Sequence, residues 1–325
     1  LAYKVKKPVV TDFLDFSTVD RRIQACTREV MLNRRLAPGS YLGLGRFTAP
    51  SGETEPVIVM RRHPDDRRLA TLVRGGSDIS GELAAVAAVL ARFHTEADRG
   101  PRIDDEARVD AVTGRWQENV AELQRYAGGA VPGLDGAAVA EIGVLATQFI
   151  AGRQDLFATR IAGGRIVDGH ADLLADDIFC LPTGPELLDC LEFDDRLRYV
   201  DVIDDAAFLA MDLEYLGRPD LAGFFVDRYL DLTGDDGPAS LWHFYIAYRA
   251  VVRAKVDCVR YTQGHPEAVP DAVRHLGIAL DHLRRGAVRL IVVAGAPGTG
   301  KSTLARALAA EPTMPIFTAS TRTSS

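Results

Sequence analysis

A chain of 325 residues, 47% of them hydrophobic, is long enough for two domains and a sizeable core. Its formal net charge of −7 argues against nucleic acid or an anionic membrane as a bulk partner and would suit a cationic substrate. The four cysteines, Cys26, Cys180, Cys190 and Cys258, form no C-x-x-C pair, no apolar run reaches the roughly 18 residues of a membrane span and no signal pattern opens the chain, so disulfides and zinc are not expected and a cytoplasmic protein is the default.

Residues 1–10 read as a strand ended by Pro8. Thr18 or Asp20 could cap a helix running to about Leu36, with Ile23, Val30, Leu32 and Leu36 as its apolar positions. Two strands follow, Tyr41 to Leu44 and Pro56 to Met60, around the turn-like Pro50-Ser51-Gly52-Glu53. From about Leu69 the pattern is helical: Gly81 to Thr95, Asp105 to Tyr126 and Ala137 to Ala158. A turn-rich stretch with short strands runs from Ile161 to Phe193. Helices resume at Val202–Leu216, Ala222–Leu232, Ser240–Tyr261 and Pro270–Arg285, and Trp242, Phe244, Tyr245, Tyr248 and Val252 fit a buried face of the third. His243, His265, His275 and His282 form no i, i+4 pair of metal ligands.

After the boundary at Gly286 the apolar run Leu290 to Ala294 reads as a strand, followed by G-A-P-G-T-G-K-S at Gly295 to Ser302 and a helix from Thr303. Strand, glycine loop, helix is the context of a phosphate-binding P-loop, in which backbone N–H groups turn onto phosphate oxygens at a helix N-terminus. Its binding set is Gly295, Gly298, Gly300, Lys301, Ser302 and Thr303, with Lys301 reaching the terminal phosphates and Ser302 offering a hydroxyl to Mg²⁺. The tail beyond Glu311, rich in Ser and Thr, reads as disordered.

A second constellation lies at Asp168-Gly169-His170-Ala171-Asp172 and Asp176-Asp177-Ile178, then a hairpin across Pro182-Thr183-Gly184-Pro185, then Asp189, Glu192, Asp194 and Asp195. The hairpin brings the carboxylate before its first strand and one or two after its second to the same end. Close carboxylates without matching lysines are unfavourable unless a cation sits among them, and a divalent metal with oxygen ligands is the natural occupant. Asp172, Asp177 and the Asp189/Glu192 pair fit that description; Asp176, Asp194 and Asp195 read as turn residues. Lysine is scarce, confined to Lys4, Lys6, Lys7, Lys255 and Lys301, so a position that keeps it can reflect a need for a compact ammonium such as a phosphate clamp.

His170-x-Asp172-x-x-x-x-Asp177-Ile178, hairpin, Asp189/Glu192-Phe193 resembles the catalytic segment of the aminoglycoside phosphotransferase-like kinases, small-molecule relatives of the protein kinases. Asp201-Val202-Ile203-Asp204-Asp205-Ala206-Ala207 and Ala91-Arg92-Phe93-His94 look like two further motifs of that family. The resemblance implies an α+β fold: a protein-kinase-like partial N-lobe at 1–66, a mostly helical C-lobe at 67–286, and the start of a P-loop α/β domain at 287–325. It implies ATP and Mg²⁺ as cofactors and transfer of the γ-phosphoryl to a hydroxyl of a small molecule. Asp172, with His170 in the same motif, would be catalytic, Asp172 acting as the base; Asp177 and Asp189 or Glu192 would hold the metal, Leu191-Glu192-Phe193 fitting the family's triplet better by spacing; Lys4, with Lys6 as fallback, would pair with Glu29 and meet the α/β-phosphates. Met60-Arg61 would fall near the adenine-holding hinge. Ala171 stands where the family has Gly, Asp177 where it has Asn, and no glycine-rich loop precedes Lys4. The order of the two halves resembles a bacterial two-part family joining such a kinase to a P-loop domain, which leads one to expect that both ends are truncated. The alternatives are a P-loop ATP-binding protein, or an inactive pseudo-kinase that binds a metabolite or partner.

Overall fold

The computed structural model describes residues 1–9, 15–48, 50, 52, 54–287, 294, 296 and 298–309. The chain divides into two units, Leu1–Ala287 and Val288–Ser325.

The first unit opens with a small three-stranded antiparallel sheet, β1 (Ala2–Lys4), β2 (Tyr41–Thr48) and β3 (Thr54–Met60), in the order β1-β3-β2. Register runs from Ala2 opposite Met60 to Lys4 opposite Ile58, so Lys4 shares the inward face with the fully buried Ile58. The ladder stops at Lys4 rather than running to Pro8, and Lys6 keeps the inward parity without being part of it. Helix α1 (Val19–Asn33) begins at Thr18, whose hydroxyl accepts from the Arg21 amide at 3.3 Å, so Thr18 and not Asp20 is the cap. The buried stripe of α1 is Arg22, Cys26, Glu29, Val30 and Asn33. Three of those five are polar, which is unusual for a core-facing helix unless each has a partner.

Helices α2 (Leu69–Gly75), α3 (Ser80–Glu96), α4 (Pro101–Asp104), α5 (Val109–Ala127), α6 (Gly136–Ala151) and α7 (Gln154–Ala162) follow. The sequence suggested one helix from Ala137 to Ala158; the structure has two. The α6 ladder closes on Gly152, whose amide bonds Gln148 O, and Arg153 turns out at φ −138°, ψ 33° with its guanidinium over the Phe149 ring at 4.0 Å. The helix expected from Asp105 starts at Val109, Asp105–Ala107 being a 3₁₀ turn. Next come β4 (Ile166–Asp168), β5 (Ile178–Leu181), β6 (Gly184–Leu187), α8 (Asp195–Arg198) and β7 (Tyr199–Asp201). The hairpin β5–β6 is present as expected; β7, which pairs antiparallel with β4, is too short for its periodicity to show in the sequence.

The core is built on α9 (Val202–Tyr215), α10 (Pro219–Thr233), α11 (Ala239–Thr262) and α12 (Val269–Gly286). Every residue of α9 from Val202 to Leu213 is buried. Helix α11 packs against α9, α12 and α5; Trp242, Phe244, Tyr245 and Tyr248 are buried as the pattern implied, and Phe244 stacks on Phe149 at 4.2 Å, whereas Val252 is only half-buried. No described helix is long and apolar enough to cross a membrane.

Of the second unit, the described residues give helix α13 (Lys301–Ala309). The strand expected at Leu290–Ala294 falls mostly outside the described residues, as do Gly295 and the tail from 310.

Candidate active site

The segment after β4 is held from behind by one buried carboxylate. Asp205, fully buried on α9, accepts from the backbone amides of His170 at 2.8 Å and Ala171 at 2.7 Å, and bonds His94 Nε2 at 2.9 Å. Burial alone would push the Asp205 carboxyl up, but the His94 bond, the nearby imidazoles and the His170 amide outweigh it and hold it well below the usual carboxylate range. Gly169 makes this approach possible: a Cβ there would lie 2.6 Å from Asp205 Oδ2 and 2.8 Å from Val200 Cγ2. Ala171 sits at φ 68°, a left-handed conformation that costs a non-glycine residue about 1 kcal/mol, and its carbonyl accepts from Arg249 Nη1 at 3.1 Å.

His170 lies in the interior, with no exposed surface. Its Nε2 is 3.0 Å from Leu188 O and its Nδ1 3.3 Å from the Asp172 amide, a pattern that fits a neutral ring donating at one nitrogen and accepting at the other. Burial pushes its pKa down, in keeping with that neutral form. The imidazole therefore ties the Asp172 segment to the end of the β5–β6 hairpin.

The hairpin brings the acidic residues together. Ile178 faces Leu187 in its register, the Leu188 amide bonds Asp177 O at 2.9 Å, and Asp189 follows at once with φ 62°. Burial, with the negative charges of Asp189 and Asp172, pushes the Asp177 carboxyl up to about 7. Asp172 is pushed up to about 6 by burial, with Asp189 and Asp212 adding to the rise and Arg253 and Arg249 on α11 opposing it. Asp189 adds to the rise at both Asp172 and Asp177, and carboxylates gathered in this way are a donor set suited to a hard cation. Among the described residues no group of three His, Cys, Asp or Glu would hold a metal by itself. Mg²⁺ ordinarily takes only one or two carboxylates and completes its shell with phosphate and water, and Asp177 with Asp189 fits that mode.

Both inward lysines of the N-terminal strand reach Glu29. Lys4 Nζ lies 2.8 Å from Glu29 Oε1 and 2.6 Å from Asp189 Oδ1; Lys6 Nζ lies 2.6 Å from Glu29 Oε2 and 2.5 Å from Glu192 Oε1. Glu29 is fully buried and neither oxygen takes a well-angled hydrogen bond, so ammonium charge alone offsets its desolvation. Burial would lower the Lys4 pKa, but Asp189 and Glu29 overcome it and raise it. The two acidic residues left open by the sequence thus separate: Asp189 stands with Asp172, Asp177 and Lys4, and Glu192 stands on Lys6.

Sequence reasoning passed over the far end of α1. Asn33, fully buried, donates from Nδ2 to Glu29 O at 2.9 Å and accepts the Cys190 amide on Oδ1 at 2.9 Å. Arg35 donates from Nη1 to Asp168 O at 3.0 Å and from Nη2 to Gly169 O at 2.9 Å, with Cys190 Sγ at 3.3 Å. The available signal was spacing: Asn33 is four residues beyond Glu29 and therefore on the same helix face.

No family model matches the chain. The fold is shared with choline kinase. The choline kinase of Cryptosporidium parvum superposes with a TM-score of 0.50 over 87% of this chain and 80% of its own, at 12% identity. An ethanolamine kinase of Plasmodium vivax gives a TM-score of 0.47 at 10% identity, over 87% and 74%. Proteins of Mycobacterium tuberculosis and Mycobacterium bovis, named only as uncharacterised, are 58% identical over 309 residues, 95% of this chain. The chain spans 61% of the length of these curated relatives.

The raised carboxyls carry a pH signature. Asp172 and Asp177 hold protons in the folded chain up to about 6 and 7, whereas in the unfolded chain they release them near 4. Folding therefore takes up protons between those limits, and the stability of the metal-free protein falls as pH rises through that window. A Mg²⁺ ion held there would compete with those protons, so millimolar MgCl₂ should raise the unfolding temperature more at pH 8 than at pH 5.5. Equal shifts at both pH values, measured by differential scanning fluorimetry, would count against a metal at these carboxylates.

Proposed function

We propose that residues 1–287 catalyse ATP-dependent phosphoryl transfer to a hydroxyl of a small molecule. The observation that carries this reading is the meeting of Asp172, Asp177 and Asp189 with the Lys4–Glu29 pair at 2.8 Å, four chain segments converging on one spot. Asp172 orients the acceptor hydroxyl and takes its proton as the oxygen attacks the γ-phosphorus; the bond from that phosphorus to the β,γ-bridging oxygen breaks and ADP leaves. Asp177 and Asp189 would hold Mg²⁺, which supplies neutralisation of phosphate charge. Lys4 meets the α/β-phosphates, exchanging its Asp189 partner for them. His170 and Asp205 fix the loop and do not touch the substrate. Arg249 and Arg253 on α11 oppose the charges of Asp189 and Asp212 at Asp172, so the surroundings of the proposed base carry both signs.

A second nucleotide site is proposed at the P-loop. Gly298 and Gly300 both lie at φ 81°, a conformation glycine adopts freely, just before α13, and Lys301 folds over the loop with Nζ 2.5 Å from Ala296 O. The test is Mg²⁺-dependent nucleotide binding and ATP turnover in the intact chain, in Lys301→Ala and in Asp172→Asn. If Lys301→Ala alone abolishes turnover, residues 1–287 are not the enzyme; if no nucleotide binds at all, an inactive protein that binds a metabolite or partner is the better description.

The two lysines are expected to differ. Lys4→Met should weaken Mg·ATP binding to residues 1–287 by about tenfold or more, since it removes a phosphate contact. Lys6→Met should cost about threefold or less, because Lys4 still compensates Glu29. Calorimetric titration in the Lys301→Ala background measures both; equal losses would refute the assignment of Lys4 as the phosphate lysine.

A further inference from the structure

The Asp189 carboxylate hangs from a backbone that needs support. Asp189 is one of two non-glycine residues at positive φ among those described, the other being Ala171 on the catalytic segment. Such a conformation persists when its surroundings over-determine it. The next peptide supplies the handle: the Cys190 amide donates to Asn33 Oδ1 at 2.9 Å, and Asn33 has no exposed surface. The Asn33 amide cannot flip, because its Nδ2 is spent on Glu29 O at 2.9 Å. One side chain thus ties the peptide after Asp189 to the backbone of the residue that anchors Lys4. Tyr41, also buried, faces the Asp189 backbone from β2.

We propose that Asn33 is a positioning residue for the nucleotide-bound metal: by gripping the Asp189–Cys190 peptide it sets the distance between the Asp189 carboxylate and the Lys4–Glu29 pair. This rests on the kinase reading above and adds a residue that no motif marks. Asn33 touches neither nucleotide nor acceptor. Its loss acts on the metal step and leaves the metal-free affinity for nucleotide in place. Outer residues that orient a ligand of a metal change its affinity by roughly 10–100-fold when removed.

The probe is Mg²⁺ titrated against a fixed concentration of a fluorescent ATP analogue, in the intact chain carrying Lys301→Ala so that the P-loop is silent. Asn33→Leu keeps the volume and removes the acceptor; Asn33→Asp keeps the acceptor. Leu is expected to raise the half-saturating Mg²⁺ about tenfold with analogue binding in EDTA unchanged, and Asp to restore most of the loss. If Leu fails to fold, Asn33→Ser, too short to bridge, takes its place with the same expectation. The proposal is overturned if the folded Leu or Ser variant lowers the unfolding temperature but leaves the Mg²⁺ half-saturation as in the parent, or if Asp loses as much as Leu. If the parent itself shows no Mg²⁺-dependent binding, the kinase reading falls and this proposal with it, a result distinct from parent binding with an insensitive variant.

Discussion

Asp172→Asn should reduce phosphoryl transfer by about 10²–10⁴-fold, the usual worth of a positioned general base, while Mg²⁺-dependent nucleotide binding survives. The Asn side chain is isosteric, so the loop geometry and its Asp205 anchors are kept, and only proton acceptance is removed. The pH profile sharpens the prediction. Burial and the charges of Asp189 and Asp212 push the Asp172 carboxyl up to about 6, so the base form is depleted below that pH. Turnover of the unmodified chain should rise from pH 5 to pH 7 and then level, and the residual turnover of the variant should lack that limb. Initial rates against pH with saturating Mg·ATP measure this, and an Asp172→Asn variant with near-normal turnover would remove Asp172 from the chemistry.

Asp205→Ala should cost about 3–5 kcal/mol of folding stability, the largest structural effect expected here. Removing the carboxylate strands three donors in the interior: the His170 and Ala171 amides and the His94 ring. Each buried donor left unmet costs about 1–3 kcal/mol, reduced in sum by local relaxation. Because the Asp205 carboxyl is held well below its ordinary pKa, its stabilisation is full above pH 4 and is lost as pH falls towards the folded value. The gap in stability between the parent chain and Asp205→Ala should therefore narrow in acid. Urea unfolding at pH 7 and pH 3.5 would show it; a gap of under about 1 kcal/mol at pH 7 would mean that the loop does not depend on this anchor.

What the sequence made legible follows from period and spacing. The amphipathic stripes of α10 to α12, the largely apolar run of α9, the β5–β6 turn and the parity that puts Lys4 and Lys6 on one face are all local properties, visible in a few neighbouring residues. Lys4 with Glu29 was expected through resemblance to a known motif set, and the structure brings that pair into contact; the segments holding His94 and Asp205 were each matched to a motif, but their bond to one another was not expected. Contacts across the fold were not legible. Nothing local says that Lys6 takes Glu192 and leaves Asp189 for the cleft, or that Asn33 reaches the Cys190 amide, 157 residues away in sequence. The break between α6 and α7 was missed because Gly152 and Arg153 interrupt an otherwise continuous apolar period, and the decisive contact, Arg153 on Phe149, forms only once the helix has ended. Ala171 was read as a departure from a glycine; its positive φ shows what that departure entails, a side chain carried in a conformation glycine would adopt without strain.

The buried Glu29, with an ammonium on each of its two oxygens, gives α1 a form of redundancy. A buried carboxylate with a single counter-ion loses its compensation whenever that counter-ion is called elsewhere. On the kinase reading, Lys4 exchanges Asp189 for a phosphate and keeps its Glu29 oxygen, while Lys6 holds the other oxygen. If the chain is the kinase proposed above, the charge inside α1 would stay compensated whether or not a phosphate occupies Lys4.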